Sequence, residues 1–242
     1  MKKEHRDEIK QDELASGLEK ALAWATAHRD EIRIGAGVVV VLMAAAGALS
    51  FFQRQRAQEA DRAFRDALTT FEAPVASEIP AGSDRPSGQV FATSEEKYKT
   101  AAAAFEGVER RFGSSKAGLR AKYYAALSRV QLGQNAEAEK ALKEIQALGG
   151  GLEPELARLA LADLYRRSQQ VDKAVEAYRG MATNPTASVP RDYALLSAAQ
   201  ALEDAKRWPE ARAAYRQVFE EFPASVFAAE ARARVEFLQT QG

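Results

Sequence analysis

The chain has 242 residues, room for one or two domains, and 46% of them are hydrophobic. Its 34 basic and 34 acidic residues cancel, which removes the basic footprint of a nucleic-acid binder. With no Cys and only two His, disulfides, thiolate catalysis, Cys-bound zinc and a lipidated Cys anchor are excluded.

The first eleven residues are charged and read as unstructured. Asp12 is a candidate N-cap, and Leu14, Leu18, Leu22, Ala25 and Ile32 follow at helical spacing. This predicts an amphipathic helix within an N-terminal arm, 1–33. Trp24 and His28 would lie at the headgroup level of a membrane, or the helix would dock on a partner. His28 has no second ligand nearby in the sequence, so no metal is expected there.

Ile34 to Phe52 carries no charge and no Pro. As a helix these residues span roughly 28 Å, close to the ~30 Å hydrocarbon core of a bilayer. Its Ile, Val, Leu and Phe side chains favour insertion by roughly 3–5 kcal/mol. The mixed-charge arm before it is unlike the short basic leader of a cleaved signal, so 34–52 is read as a retained anchor. Gly35, Gly37, Gly47, Ala44 and Ala48 would allow close helix packing in the bilayer and hence a homo-oligomer. Flanking charges do not orient it. Lys20, Arg29 and Arg33 stand on one side, and Arg54, Arg56, Arg62 and Arg65 on the other.

Beyond the anchor, 53–242 reads as one helical domain. Ala60, Phe64, Ala67, Leu68 and Phe71 keep a 3.6-residue period that stops before Pro74. Residues 73–93 hold three Pro and two Gly and read as a mobile loop. Thr93 with Glu96 forms a capping box that restarts the helix. A unit of Ala, then an aromatic or Leu, then a further apolar residue now recurs. Its members are Ala101-Phe105-Val108, Ala138-Leu142-Ile145, Ala174-Tyr178-Met181 and Ala211-Tyr215-Val218. The Ala positions lie 37, 36 and 37 residues apart. Such a period is the mark of a helical solenoid. Further helices are expected over 119–132, 156–165 and 193–205, and a closing one over 225–238. Gly149-Gly150-Gly151 reads as a hinge that ends a helix and does not begin one.

Gly133-x4-Ala138-x3-Leu142-x2-Ile145 resembles a tetratricopeptide repeat, as does Ala211-x3-Tyr215-x2-Val218-x4-Pro223. Leu161, Ala162 and Tyr165 match first-helix positions of the third unit. Gln169 and Lys206 replace the turn Gly, and the units run two or three residues longer than the usual 34. The predicted fold is therefore all-α: a single N-terminal transmembrane helix, then a tetratricopeptide-like helical-repeat solenoid.

No Gly-rich phosphate loop, nucleophile elbow or paired His is present, so the chain reads as a non-enzyme without cofactor or metal. In stacked helix pairs the first helix of each unit lines the inner face. On that register the protein-binding candidates are Arg120, Tyr123, Leu127, Leu159, Asp163, Arg166, Tyr193, Leu196, Gln200 and Glu203. This mixture suits an extended or helical apolar peptide. It does not suit a carboxylate clamp, because Tyr123 and Leu127 stand where polar residues would be needed.

The layout of arm, anchor and long repeats resembles the ancillary SecYEG translocon subunit family of bacterial inner-membrane proteins. Residues 120–127, Arg-Ala-Lys-Tyr-Tyr-Ala-Ala-Leu, are among the scattered similar positions. That resemblance implies a single-pass inner-membrane protein with a cytoplasmic N-terminus and a periplasmic repeat domain. The implied partners are translocon subunits, a periplasmic chaperone and unfolded or extended polypeptide segments. The alternative is a cell-envelope scaffold for outer-membrane, peptidoglycan or cytochrome maturation machinery, whose repeats 222–231 also resemble.

Overall fold

The computed structural model describes residues 23–24, 26–80, 88–184 and 189–241. The predicted amphipathic helix before Ala23 falls outside them, as do 81–87 of the predicted loop. Contacts divide the chain into two units, 1–56 and 57–242. A single helix, α1 (Arg29–Glu72), contributes to both.

In the first unit the apolar residues of α1 have no cover. Ile34, Val38 to Met43, Leu49, Phe51 and Phe52 are 52–69% exposed. The most apolar 18-residue window has a mean hydropathy of 2.3 and no buried share. By length and composition this helix suffices to cross a membrane. Upstream, the Trp24 and His28 rings stack at 4.8 Å.

The second unit opens on the last part of α1 and continues with eight helices among the described residues. They are α2 (Ser94–Phe112), α3 (Lys116–Gln131), α4 (Asn135–Gln146), α5 (Leu152–Arg167), α6 (Val171–Thr183), α7 (Arg191–Asp204), α8 (Trp208–Glu221) and α9 (Ala228–Gln239). From α2 on, each packs against the next, and α3 also meets α5. The repeat positions explain this order. Ala101, Ala138, Ala174 and Ala211 are all fully buried. So are Phe105, Leu142 and Tyr178, with Tyr215 at 1%. The preceding helices bury Ala121, Ala157 and Ala194 at equivalent places, and Ala126, Ala162 and Ala199 as well. Small side chains at both registers let paired helices approach, while the larger residue three or four positions on fills the space between pairs.

Three turns within pairs are near copies. Gln134 N–H donates to Arg129 O at 2.9 Å, Gln170 N–H to Tyr165 O at 2.8 Å, and Arg207 N–H to Leu202 O at 2.9 Å. Each is the six-to-one bond of a Schellman ending, with one left-handed residue before the donor. That residue is Gly133 (φ +73°), Gln169 (+59°) or Lys206 (+58°). Gln169 and Lys206 therefore adopt the turn conformation of the Gly they replace, at a cost of roughly 1–2 kcal/mol each.

Some boundaries differ from expectation. The segment 73–93 is tied at its base. Ala76 N–H donates to Phe91 O (2.8 Å), Phe91 N–H donates to Pro74 O (3.1 Å), and both Val75 and Phe91 are buried. At Thr93 the cap forms, with Glu96 N–H donating to Oγ1 at 3.1 Å. The returning Glu96 carboxylate instead accepts from Ala92 N–H at 3.3 Å. Gly151 does begin a helix: it is the N-cap of α5, which starts at Leu152 rather than Leu156. Gly149, Gly150 and Gly151 all have positive φ, so the turn needs residues without Cβ. The last helix starts at Ala228, not Ser225; the Ser225 hydroxyl donates to Asp192 Oδ2 at 2.6 Å and accepts from Phe227 N–H at 3.1 Å.

Candidate functional site

The ten candidates stand on α3, α5 and α7. Arg120 pairs with Glu153 of α5 at 3.1 Å. Arg166 reaches Gln200 of α7 at 3.4 Å and Asp204 at 3.6 Å. These polar contacts join neighbouring first helices. Tyr123 is half-buried, its ring edge-on to Tyr124 at 5.5 Å. Tyr193 is half-buried against Phe227 of the turn before α9, at 6.0 Å. Leu127, Leu159 and Gln200 are also half-buried. Leu196 is a correction: at 3% exposure it belongs to the core and presents no surface.

Two acidic candidates serve the fold as hydrogen-bond acceptors. Asp163 accepts from the buried Tyr178 hydroxyl. Glu203 accepts from the buried Tyr215 hydroxyl at 2.6 Å and also pairs with Arg234 of α9. The repeat's aromatic position thus spans from the second helix of a pair to a carboxylate on the first. A buried phenol without such a partner would be destabilising, so Asp163 and Glu203 have a structural reason to be present. Composition alone does not reveal it.

Burial shapes the titration of these tyrosines. It pushes Tyr123 up to about 12, with smaller contributions from Tyr124 and Asp163. It does the same to Tyr215, also to about 12, helped by Glu230 and Asp204. Tyr178 is raised further, by burial first and then by its bond to Asp163. In the unfolded chain a tyrosine ionises near pH 10, roughly. Between about pH 10 and 12 the unfolded state therefore binds fewer protons than the folded one, and stability falls as pH rises. Urea midpoints are expected to hold up to about pH 10 and then drop. Tyr215→Phe should flatten part of that drop. Equal loss in parent and variant would remove Tyr215 as its source.

Sequence reasoning passed over two features. One is an aromatic cluster at the first pair, where Phe71 meets Tyr98 (5.7 Å), Tyr124 (5.4 Å) and Phe105 (6.1 Å). Period alone marks these as core without showing that they converge. The other is a cleft at the turn ends of α5 and α7, lined by Arg166, Arg167, Gln169 and Lys206 among others. Its lining residues lie far apart in the chain, and the only signal was the missing turn Gly. Among the described residues no three His, Asp or Glu side chains gather as metal ligands.

The arrangement offers half-buried tyrosine, leucine and mixed charge along the first helices of stacked pairs. Residues 193–225 match the tetratricopeptide repeat family model. That stretch covers α7 from Tyr193 on, α8 and the turn through Ser225. No curated protein matches the chain. Two solved structures are similar, both described as a Podosopora anserina kinesin light chain with nearly identical TPR-like repeats. One of them, a single-substitution form, shares 15% identity, covers 77% of this chain and 92% of its own, and has a TM-score of 0.43. The other shares 14%, covers 78% and 95%, and has the same TM-score of 0.43. The second unit is an all-helical array of stacked pairs, and its 193–225 pair carries the tetratricopeptide repeat match; repeats of that kind generally serve protein–protein interaction.

Proposed function

We propose that this chain is a membrane-anchored, protein-binding adaptor, with Ile34–Phe52 as the anchor and the α2–α9 pairs as the binding part. The observation that carries this reading is the combination in one chain of an uncovered apolar helix and a repeat array with half-exposed tyrosines. Anchoring raises the local concentration of the repeats near a membrane partner, so weak contacts suffice. The resemblance in layout to the ancillary SecYEG translocon subunit family supplies the finer reading. In it, the chain assists secreted-protein transfer at the Sec translocon, or recruits a chaperone there, from a periplasmic repeat domain. The ten-residue inner face, less Leu196, would hold the client.

Tyr123 and Tyr193 are the strongest anchors of that face, since partly buried tyrosines dominate many protein interfaces. The double variant Tyr123→Ala, Tyr193→Ala should lower crosslinked capture of partners from detergent-solubilised membranes by about tenfold, with helix content by circular dichroism near that of the parent. Unchanged capture would move the binding surface off these rows. If the captured proteins include envelope-assembly machinery and lack the translocon channel, the scaffold alternative replaces the translocon reading. Digestion of the repeats by protease added to the cytoplasmic face of membrane vesicles would reverse the proposed topology.

A further inference from the structure

Between the turn that follows α5 and the turn that follows α7 lies a cleft of about 610 Å³. Its charged lining is Arg166, Arg167 and Lys206 against a single carboxylate, Asp204. Gln169, Val171, Ala201 and Ala205 complete its polar and apolar walls. Arg166 shares its charge with Asp204 at 3.6 Å. The side chains of Arg167 and Lys206 make no ion pair or hydrogen bond among the described residues. In a chain whose formal charges cancel, this is a local cationic excess held within walls.

Helix-end electrostatics explain only part of it. Arg166 and Arg167 occupy the last turn of α5, where cations suit the carbonyl end of the helix. Lys206 follows the C-cap of α7, just past its carbonyl end. It also sits at φ +58°, where the equivalent turn of an earlier pair uses Gly133. Gln169, the other non-glycine residue in this conformation among the described residues, lines the same cleft. Both strained positions therefore direct polar side chains into one place, and retained strain of this kind points to a use for the side chain.

We infer that this cleft binds the side-chain carboxylates of an acidic peptide segment on a partner protein. A guanidinium presents two parallel donors to a carboxylate, and Lys206 adds a mobile point charge from the facing turn. The Gln169 amide supplies a neutral donor, and Val171 a short apolar wall for the methylenes of a glutamate. Asp204 opposes a dianion such as phosphate, which favours singly charged groups spaced along a chain. The choice of a peptide rests on the protein-binding reading above. Of the inner-face candidates only Arg166 lines the cleft, so the two sites can be tested apart.

The full chain in mild detergent would be titrated with dye-labelled hexaglutamate, followed by fluorescence anisotropy, with hexalysine as the control. Saturable binding of hexaglutamate, absent for hexalysine and weakened several-fold by added salt, is expected. Arg167→Glu combined with Lys206→Gly should lower affinity at least tenfold. Lys206→Gly alone should weaken binding while leaving the thermal midpoint equal or higher, because glycine relieves the left-handed turn. Tyr123→Ala with Tyr193→Ala should bind hexaglutamate like the parent, even if it captures no partner. Equal affinity in the Arg167 and Lys206 variants overturns the site. Displacement by glycerol 3-phosphate at equal charge concentration overturns the peptide assignment in favour of a lipid headgroup.

Discussion

Gly118→Ala is expected to destabilise the repeat domain by about 3 kcal/mol, more than an alanine-for-glycine change inside a helix would suggest. Gly118 lies in the first turn of α3, where alanine is normally the better residue by up to about 1 kcal/mol. Here a Cβ would stand 2.1 Å from Phe112 O and 2.8 Å from Gly113 Cα. Both are backbone atoms of the α2–α3 turn, so no side-chain rotation relieves the clash. The same turn is fastened by Ser115, whose hydroxyl oxygen accepts from Gly118 N–H at 3.0 Å while its hydrogen goes to Phe112 O at 2.7 Å. Moving Phe112 O away would break that cap and lift the buried Phe112 ring. Equilibrium urea unfolding followed by circular dichroism measures the effect. A midpoint equal to or above the parent's would mean that the turn relaxes freely. Gly107→Ala makes the contrast, since a Cβ there meets nothing nearer than Arg110 Nη2 at 4.0 Å.

Phe105→Ala should cost roughly 3–5 kcal/mol, the usual range for a fully buried phenylalanine. Phe105 is completely buried on α2. Its ring lies 5.8 Å from Phe64, 6.1 Å from Phe71 and stacked 5.3 Å from Tyr124. It therefore joins three separate stretches: the 57–72 part of α1, α2 and α3. Aromatic pairs add about 0.5–1.5 kcal/mol each beyond the area they bury. Hydrogen exchange should report faster exchange in 57–72 first, because that stretch packs into the same cluster as Phe105 through Ala60, Phe64 and Ala67, with Phe71 against it. Phe105→Leu should recover about half of the loss. If exchange in 57–72 matches the parent's, the docking of α1 does not depend on this ring.

Much of the repeat array is legible in the chain. The Ala-aromatic-apolar unit picks out buried positions in α2, α4, α6 and α8, because a stacked array presents the same neighbours to every unit and so selects the same residue sizes. The Thr93 cap is legible for a similar reason: its interaction is complete within four residues. The site is less so. Register places ten residues on the inner face, yet it cannot separate Leu196, which the packing buries, from Leu159, which stays half-exposed. It also cannot show that Asp163 and Glu203 answer the hydroxyls of Tyr178 and Tyr215, fifteen and twelve residues away.

Composition and period by themselves determined that this protein joins an apolar helix to a series of helix pairs. Both properties depend on residues near one another in the chain: uninterrupted hydropathy for one, helical spacing for the other. Tertiary structure alone decided three things. It made Gly118 indispensable through a carbonyl of the preceding turn. It tied Val75 to Phe91 across a segment that reads as loop. It brought Arg167 and Lys206 to one cleft from turns whose glycine had been replaced. Each depends on atoms that only folding brings together, and their distances follow from how one helix pair is set against the next.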